Sequence, residues 1–102
     1  MLPFIESRRA EVAALCRPLG VRRLDLFGSA ASGSFDPSTS DIDFLVEFEN
    51  MEPVAYADAW LILQEKLTLL FGRPVDLVTL ASVRNPYFLE SALTERETLY
   101  AA

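Results

Sequence analysis

The stretch from Leu24 to Val46 most constrains how this chain can fold. It contains two apolar runs typical of β-strands, one ending at Phe27 and the other beginning beside Asp41 and Asp43. A Gly-Ser step follows the first run, and the residues between the runs are mostly serine, proline and other small or polar types. Because such residues form turns, the sequence predicts two neighbouring strands joined by a polar connection.

The rest of the chain predicts further helices and one more strand. Apolar residues recur at helical spacing in two long segments, and a proline opens the longer of these while a glycine closes it. The predicted segments are helices over Pro3–Leu19, Pro53–Phe71 and Pro86–Leu93, strands over Arg23–Phe27, Ile42–Phe48 and Val75–Leu80, and an extended tail over Glu97–Tyr100.

This order of elements predicts an α/β fold in one domain over residues 1–102, with a small three-stranded mixed sheet flanked by helices. The long helix between the second and third strands favours a crossover, which makes these two strands parallel. The short connection after the first strand allows it to run antiparallel to the second.

Composition excludes several classes of function. Apolar residues make up 51% and charged residues 24% of the chain, as in ordinary globular proteins. The sequence has no apolar run approaching the ~18 residues of a membrane span and no visible secretory signal, so we expect a cytoplasmic protein without a membrane partner. A net charge of −6 disfavours direct binding of nucleic acid. One cysteine and no histidine exclude an internal disulfide and remove the usual base for a serine or cysteine nucleophile.

Three aspartates and a Gly-Ser step are the residues that predict chemistry. Asp41 and Asp43 are two positions apart and should project to one face at the start of the second strand. Asp76 holds the same relative place in the third strand, so all three carboxylates should meet at one edge of the sheet. Mg²⁺ relieves repulsion between carboxylates and prefers oxygen ligands, which predicts a two-metal site. Gly28 and Ser29 suit a triphosphate, because glycine allows close approach and serine offers a hydroxyl and an amide.

Structural explanations of the same residues remain open. Asp41 can cap the end of the connection, Asp43 and Asp76 can face solvent, and Ser29 can cap a helical turn. Five further acidic residues are interpreted as solvated or loop charges: Asp25, Asp36, Glu47, Glu49 and Glu52.

The motif GSAASGSFDPSTSDID followed by VDLVT resembles the nucleotidyltransferase superfamily of DNA polymerase β type. Within it, the short length, the leading helix and the SDID form are similar to the minimal nucleotidyltransferases (MNT), antitoxins paired with HEPN-domain ribonuclease toxins. The resemblance implies transfer of AMP from ATP to a tyrosine hydroxyl of the toxin. It also implies that Asp41 and Asp43 bind both metals, Asp76 binds the catalytic metal, and Gly28 with Ser29 hold the β and γ phosphates.

One departure from the family pattern leaves a second hypothesis open. Members often carry an arginine after Gly-Ser, whereas this chain has Ala30, Ala31 and Ser32, which predicts weaker phosphate binding. The alternative is a binding module that neutralises the toxin by contact alone, within a toxin–antitoxin complex. Nucleotidyl transfer to a small molecule is disfavoured, since the chain has no second domain to bind the acceptor.

Overall fold

The computed structural model describes residues 2–32, 35–36, 41–79, 85–87, 90, 94 and 96–102. Its helices are α1 (Pro3–Glu6), α2 (Arg9–Cys16), α3 (Ser29–Ser32) and α4 (Pro53–Phe71), and a 3₁₀ turn covers Arg17–Leu19. Its strands are β1 (Val21–Phe27), β2 (Ile42–Phe48), β3 (Val75–Thr79) and β4 (Glu97–Ala101).

The strands form one mixed sheet in the order β3-β2-β1-β4. β1 runs antiparallel to both of its neighbours, and β2 is parallel to β3. The predicted α/β class and the predicted strand directions are therefore confirmed. The prediction of three strands was wrong, because the extended tail pairs with β1 and buries Leu99 and Tyr100. Its buried residues, Leu99 and Tyr100, are adjacent rather than alternating, so the sequence indicated an extended tail but no strand period.

The long crossover helix has the predicted bounds. Pro53 occupies the first turn of α4, and Gly72 ends the helix in the left-handed conformation, where its N–H donates to the carbonyl of Thr68. The buried residues of α4 include Leu63 and Leu67, which join the main core on one face of the sheet. Both ends of this helix are thus determined by local sequence.

The predicted first helix is broken into α1, α2 and the 3₁₀ turn. At the first break the hydroxyl of Ser7 donates to the carbonyl of Phe4, and the N–H of Arg8 donates to the carbonyl of Ile5. A hydrogen bond to the residue three positions back tightens the turn. The backbone of Arg8, with φ −101° and ψ 7°, is no longer α-helical. Ile5 and Val12 remain buried on both sides of the break, so the apolar spacing did not reveal it.

Side chains of the helices also donate hydrogen bonds to backbone carbonyls of the two outer strands, β3 and β4. The indole Nε1 of Trp60 donates to the carbonyl of Leu77 on β3, at 3.2 Å. At the other edge, Nη1 of Arg9 donates to the carbonyl of Leu99 on β4, at 2.8 Å. Covered edges reduce the tendency of a small sheet to pair with another chain.

The face of the sheet opposite the main core carries a buried charge. Asp25 is 2% exposed, so its interpretation as a solvated charge was wrong. Its carboxylate accepts from Nε of Arg23 at 2.9 Å and lies 3.6 Å from Nη1 of Arg96. Arg96 is far away in the sequence, and only strand pairing brings it near. Beside this group, Phe27 and Leu45 form a second, smaller apolar cluster.

The predicted last helix lies mostly outside the described residues, as does Leu80. Pro86 and Tyr87 are helical, and the N–H of Tyr87 donates to Oδ1 of Asn85 at 2.9 Å, which agrees with a helix start at this point. Among the residues the structure describes, no helix is long and apolar enough to cross a membrane.

We predict that Asp25→Asn lowers the free energy of unfolding by about 2 kcal/mol, because an amide in this buried position places its N–H groups against two guanidinium groups. Glu47→Gln is the matched control, since Glu47 pairs with Arg22 on the surface and such pairs contribute less than about 1 kcal/mol. Urea unfolding of both variants measures the difference. Equal losses would show that the buried pairing adds nothing specific.

Candidate functional site

Two of the predicted aspartates lie side by side in the sheet. Asp43 of β2 pairs in register with Asp76 of β3, and on its other side it pairs with Phe27 of β1. Residues directly opposite each other on neighbouring strands share a face, so these three side chains form one row. The row lies on the face opposite the main core, next to the cluster of Phe27 and Leu45.

The Gly-Ser turn lies against this row. Gly28 directly follows Phe27 and adopts a φ of 65°, in the left-handed region that favours glycine. A Cβ atom at this position would lie 2.5 Å from Oδ2 of Asp43, closer than any carbon–oxygen contact allows. Both the backbone angle and the close approach therefore require glycine here, and they place the turn directly against a carboxylate.

Ser29 begins the single helical turn α3. The N–H of Ala31 donates to the carbonyl of Gly28 at 3.1 Å, which closes the turn. Ser29 is half-buried, whereas Ala30 is 3% exposed and belongs to the main core. The Gly-Ser step is thereby anchored by one buried methyl group, while Ser29 stays partly open to solvent.

Asp41 lies just before β2 and is exposed, as is Asp76. The start of β2, directly after Asp41, is held by a hydrogen bond from the N–H of Ile42 to the carbonyl of Pro74, at 3.1 Å. Ile42 itself is fully buried in the main core, on the opposite side from the carboxylates, as the alternation predicts. All five predicted site residues thus lie at the end of the sheet where β2 and β3 begin and β1 ends. We call this end the edge of the site.

Burial and neighbouring charge raise the pKa of Asp43 from its ordinary value of 3.8 to about 6. Burial is the largest cause, followed by the charges of Asp76 and Asp41. The carboxylates therefore repel one another in a partly desolvated position, and a cation or a proton relieves the repulsion.

These residues fit a divalent cation by their chemistry. Carboxylate oxygens are the ligands that Mg²⁺ prefers, and the repulsion around Asp43 is what such an ion would neutralise. Within the described part of the chain, however, no three His, Cys, Asp or Glu side chains already converge into a group that could hold a metal. Asp43 and Asp76 therefore form a pair in register on neighbouring strands.

One positively charged residue at this edge was not singled out from the sequence. Arg73 precedes Pro74, and its guanidinium carbon lies 4.9 Å from the centroid of the Phe4 ring and 5.1 Å from that of Phe35. Its position three residues before Asp76 was the available signal. The two rings come from distant parts of the sequence, so the stacking itself could not be read from it.

The sign of the pKa shift gives a testable pH dependence. Because the folded protein holds the proton of Asp43 more tightly than the unfolded chain, this group favours folding below about pH 4 and loses that contribution as pH rises to about 6. We expect Asp43→Asn, without divalent cations, to match the wild type at pH 4 and to be more stable at pH 7. After allowance for solvent screening, a gain of about 1 kcal/mol raises the Tm by about 4 °C.

Thermal unfolding from pH 4 to 7 in the presence of a chelator measures this effect. Asp58→Asn, an exposed change on α4, is the control and should follow the wild type at each pH. Added Mg²⁺ at pH 7 should stabilise the wild type and leave Asp43→Asn unchanged. A constant difference between wild type and Asp43→Asn across the range would contradict the shift.

Comparison with known proteins identifies the family. The family described as Nucleotidyltransferase domain matches residues 11–99. Two proteins of Methanocaldococcus jannaschii, both named putative protein adenylyltransferase, are 38% and 35% identical to the chain over 80 residues, 78% of this chain and 76% of each relative.

Solved structures agree with this assignment. A chain described as a putative minimal nucleotidyltransferase is 34% identical, with a TM-score of 0.65 over 89% of this chain and 88% of that one. A chain of a toxin–antitoxin complex with AMP-PNP has a TM-score of 0.67 at 24% identity, covering 95% of this chain and 73% of that one. A chain of a complex between a tri-AMPylated Shewanella oneidensis HEPN toxin and its MNT antitoxin scores 0.64 at 22% identity, covering 96% and 73%. The last two likenesses show a shared fold, and the family match and the closer relatives show that this chain belongs to the nucleotidyltransferase domain family, whose members are enzymes of nucleotidyl transfer.

Proposed function

We propose that this protein is a Mg²⁺-dependent adenylyltransferase that transfers AMP from ATP to a tyrosine hydroxyl of a HEPN-type toxin and thereby acts as its antitoxin. The observation that carries the proposal is the row in which Asp43 lies between Phe27 and Asp76, with Gly28 against its carboxylate. The relatives named as protein adenylyltransferases support the reaction, and the toxin–antitoxin complexes that share the fold support the partner.

The proposed roles follow from where each residue lies. Asp41 and Asp43 would hold two Mg²⁺ ions together with Asp76, which is exposed and open to an incoming acceptor. Gly28 would let the β and γ phosphates approach the backbone closely, and the partly open hydroxyl of Ser29 would donate to a phosphate oxygen. When bound, Mg²⁺ supplies charge neutralisation at the phosphates and lowers the pKa of the attacking hydroxyl.

The transfer itself forms one bond and breaks another. The tyrosine oxygen attacks the α phosphorus of ATP, and the bond from that phosphorus to the bridging oxygen of pyrophosphate breaks. The hydroxyl proton passes to a carboxylate oxygen at the open edge, for which Asp76 is the exposed candidate. Asp43, half-buried against Gly28, is held in place and is suited to a ligand role rather than to proton transfer.

A non-catalytic antitoxin is the second candidate, and the composition of α3 favours it. The positions where the family often carries arginine are Ala30, Ala31 and Ser32, and the burial of Ala30 in the core leaves no room there for a charged side chain. This turn therefore brings no positive charge of its own to the phosphates. In this alternative, the fold survives as a binding surface for the toxin.

We predict that Asp43→Asn reduces AMP transfer at least about 100-fold, because the variant loses a charged ligand that the transition state requires. The measurement is the intact mass of the HEPN-type protein after incubation with ATP and Mg²⁺, where each transfer adds one AMP unit. Asp58→Asn serves as the control and should transfer normally. If Asp41→Asn and Asp43→Asn variants still form the complex and suppress toxicity fully, the non-catalytic alternative is correct.

Alanine at Gly28 or at Gly72 distinguishes the effect of a Cβ atom close to Asp43 from the effect of backbone strain. Gly28→Ala and Gly72→Ala both place alanine at a positive φ, so each should lose about 1 kcal/mol of folding stability. A Cβ at Gly72 meets nothing within 4 Å, whereas one at Gly28 meets the carboxylate of Asp43. We therefore expect Gly28→Ala alone to lose most of the transfer activity. Equal activity of the two variants in the mass assay would contradict a role for the turn in phosphate binding.

A further inference from the structure

A cation lies over two neighbouring aromatic rings near the end of the sheet that carries the carboxylates. The guanidinium carbon of Arg73 is 4.9 Å from the ring centroid of Phe4 and 5.1 Å from that of Phe35, and both distances are within the range of cation–π attraction. The two rings are themselves 5.6 Å apart and tilted by 42°. The planar guanidinium can contact both rings at once, which the compact ammonium of a lysine does less well.

The three residues come from segments that are distant in the sequence. Arg73 lies between the end of α4 and Pro74, whose carbonyl accepts from the N–H of Ile42 at the start of β2. Phe35 is midway in the sequence between Ser29 and Asp41, in the connection that joins the Gly-Ser turn to the first carboxylate. The contact with Arg73 therefore holds Phe35 close to the start of β3.

The contact is continuous with the core. Phe4 lies edge-on to Phe71 at 6.4 Å between centroids, and Phe71 lies 5.9 Å from Phe44. Phe44 is fully buried and directly follows Asp43 in β2. A row of rings thus runs from the strand that carries Asp43 to the connection that carries Phe35, so the stacked group is anchored at both ends.

We propose that Arg73 is a positioning residue that holds Phe35, midway in the sequence between Ser29 and Asp41, beside the site before the nucleotide binds. The inference rests on the proposed function, because it assigns the Gly-Ser turn and Asp41 to nucleotide and metal binding. A connection that is already held at its midpoint loses less conformational freedom when a ligand orders its two ends. Arg73 and Phe35 accordingly affect the affinity for the nucleotide, and they leave the rate of AMP transfer in the bound complex nearly unchanged.

The test uses the full chain with Mg²⁺ and ATP for binding by calorimetry and with the HEPN-type protein for transfer. Arg73→Gln and Phe35→Leu should each raise the Kd and KM for ATP about fivefold, with kcat within about twofold of wild type. The double variant should have a Kd for ATP no higher than that of the single variant that binds more weakly. Phe35→Tyr should bind ATP like the wild type. Arg22→Gln, which removes an exposed cation elsewhere, is the control.

Hydrogen exchange without nucleotide provides a readout that does not depend on the reaction. Arg73→Gln should speed exchange in peptides that contain Phe35 and leave those of α4 unchanged. If Arg73→Gln weakens ATP binding while Phe35→Leu does not, Arg73 contacts the phosphates directly and the positioning role is overturned. Unchanged exchange and affinity in both variants overturn it as well. A wild type that does not bind ATP overturns the proposed function. In that case, hydrogen exchange in the peptides that contain Phe35 still decides whether Arg73 and Phe4 hold Phe35 in place.

Discussion

The site depends on the register between two parallel strands. Asp43 and Asp76 are adjacent because β2 and β3 start at the same edge, and they do so because α4 carries the chain back across the sheet. A shift of one residue in this pairing would turn one of the two carboxylates to the opposite face. The bounds of α4, set by Pro53 and Gly72, are therefore as important to the site as the aspartates themselves.

Where local sequence determines structure, the sequence predicted it well. β2 and α4 have the predicted bounds, since a continuous apolar run and a proline-to-glycine helix are both local signals. The break between α1 and α2, the pairing of β4 and the burial of Asp25 were not predicted. The pairing of β4 and the burial of Asp25 depend on contacts with residues distant in the chain, whereas the helix break depends on local hydrogen bonds of Ser7 and Arg8. A periodic apolar pattern encodes neither kind of contact. The placement of the site residues at one edge followed from topology alone, whereas the stacking of Arg73 did not.

The site places carboxylates where the fold would favour apolar groups. Asp43 lies beside the buried ring of Phe27, and this burial together with Asp76 and Asp41 raises its pKa to about 6. An asparagine or a small apolar residue in this place would relieve the repulsion. A group that lowers the stability of the free protein and that a bound cation would stabilise is typical of functional sites, in which activity and stability compete.

The same end of the sheet bears on how a chain with a net charge of −6 would bind the anionic nucleotide of the proposed reaction. Under the proposed function, Asp43 and Asp76 repel a free triphosphate and α3 contributes no cation, so bound metal and nearby cations would have to supply the attraction. Arg73 contacts Phe4 and Phe35 at this end of the sheet, where its charge offsets part of the negative charge. A guanidinium that packs against aromatic rings keeps its full positive charge, so it lowers the negative potential around the proposed nucleotide site.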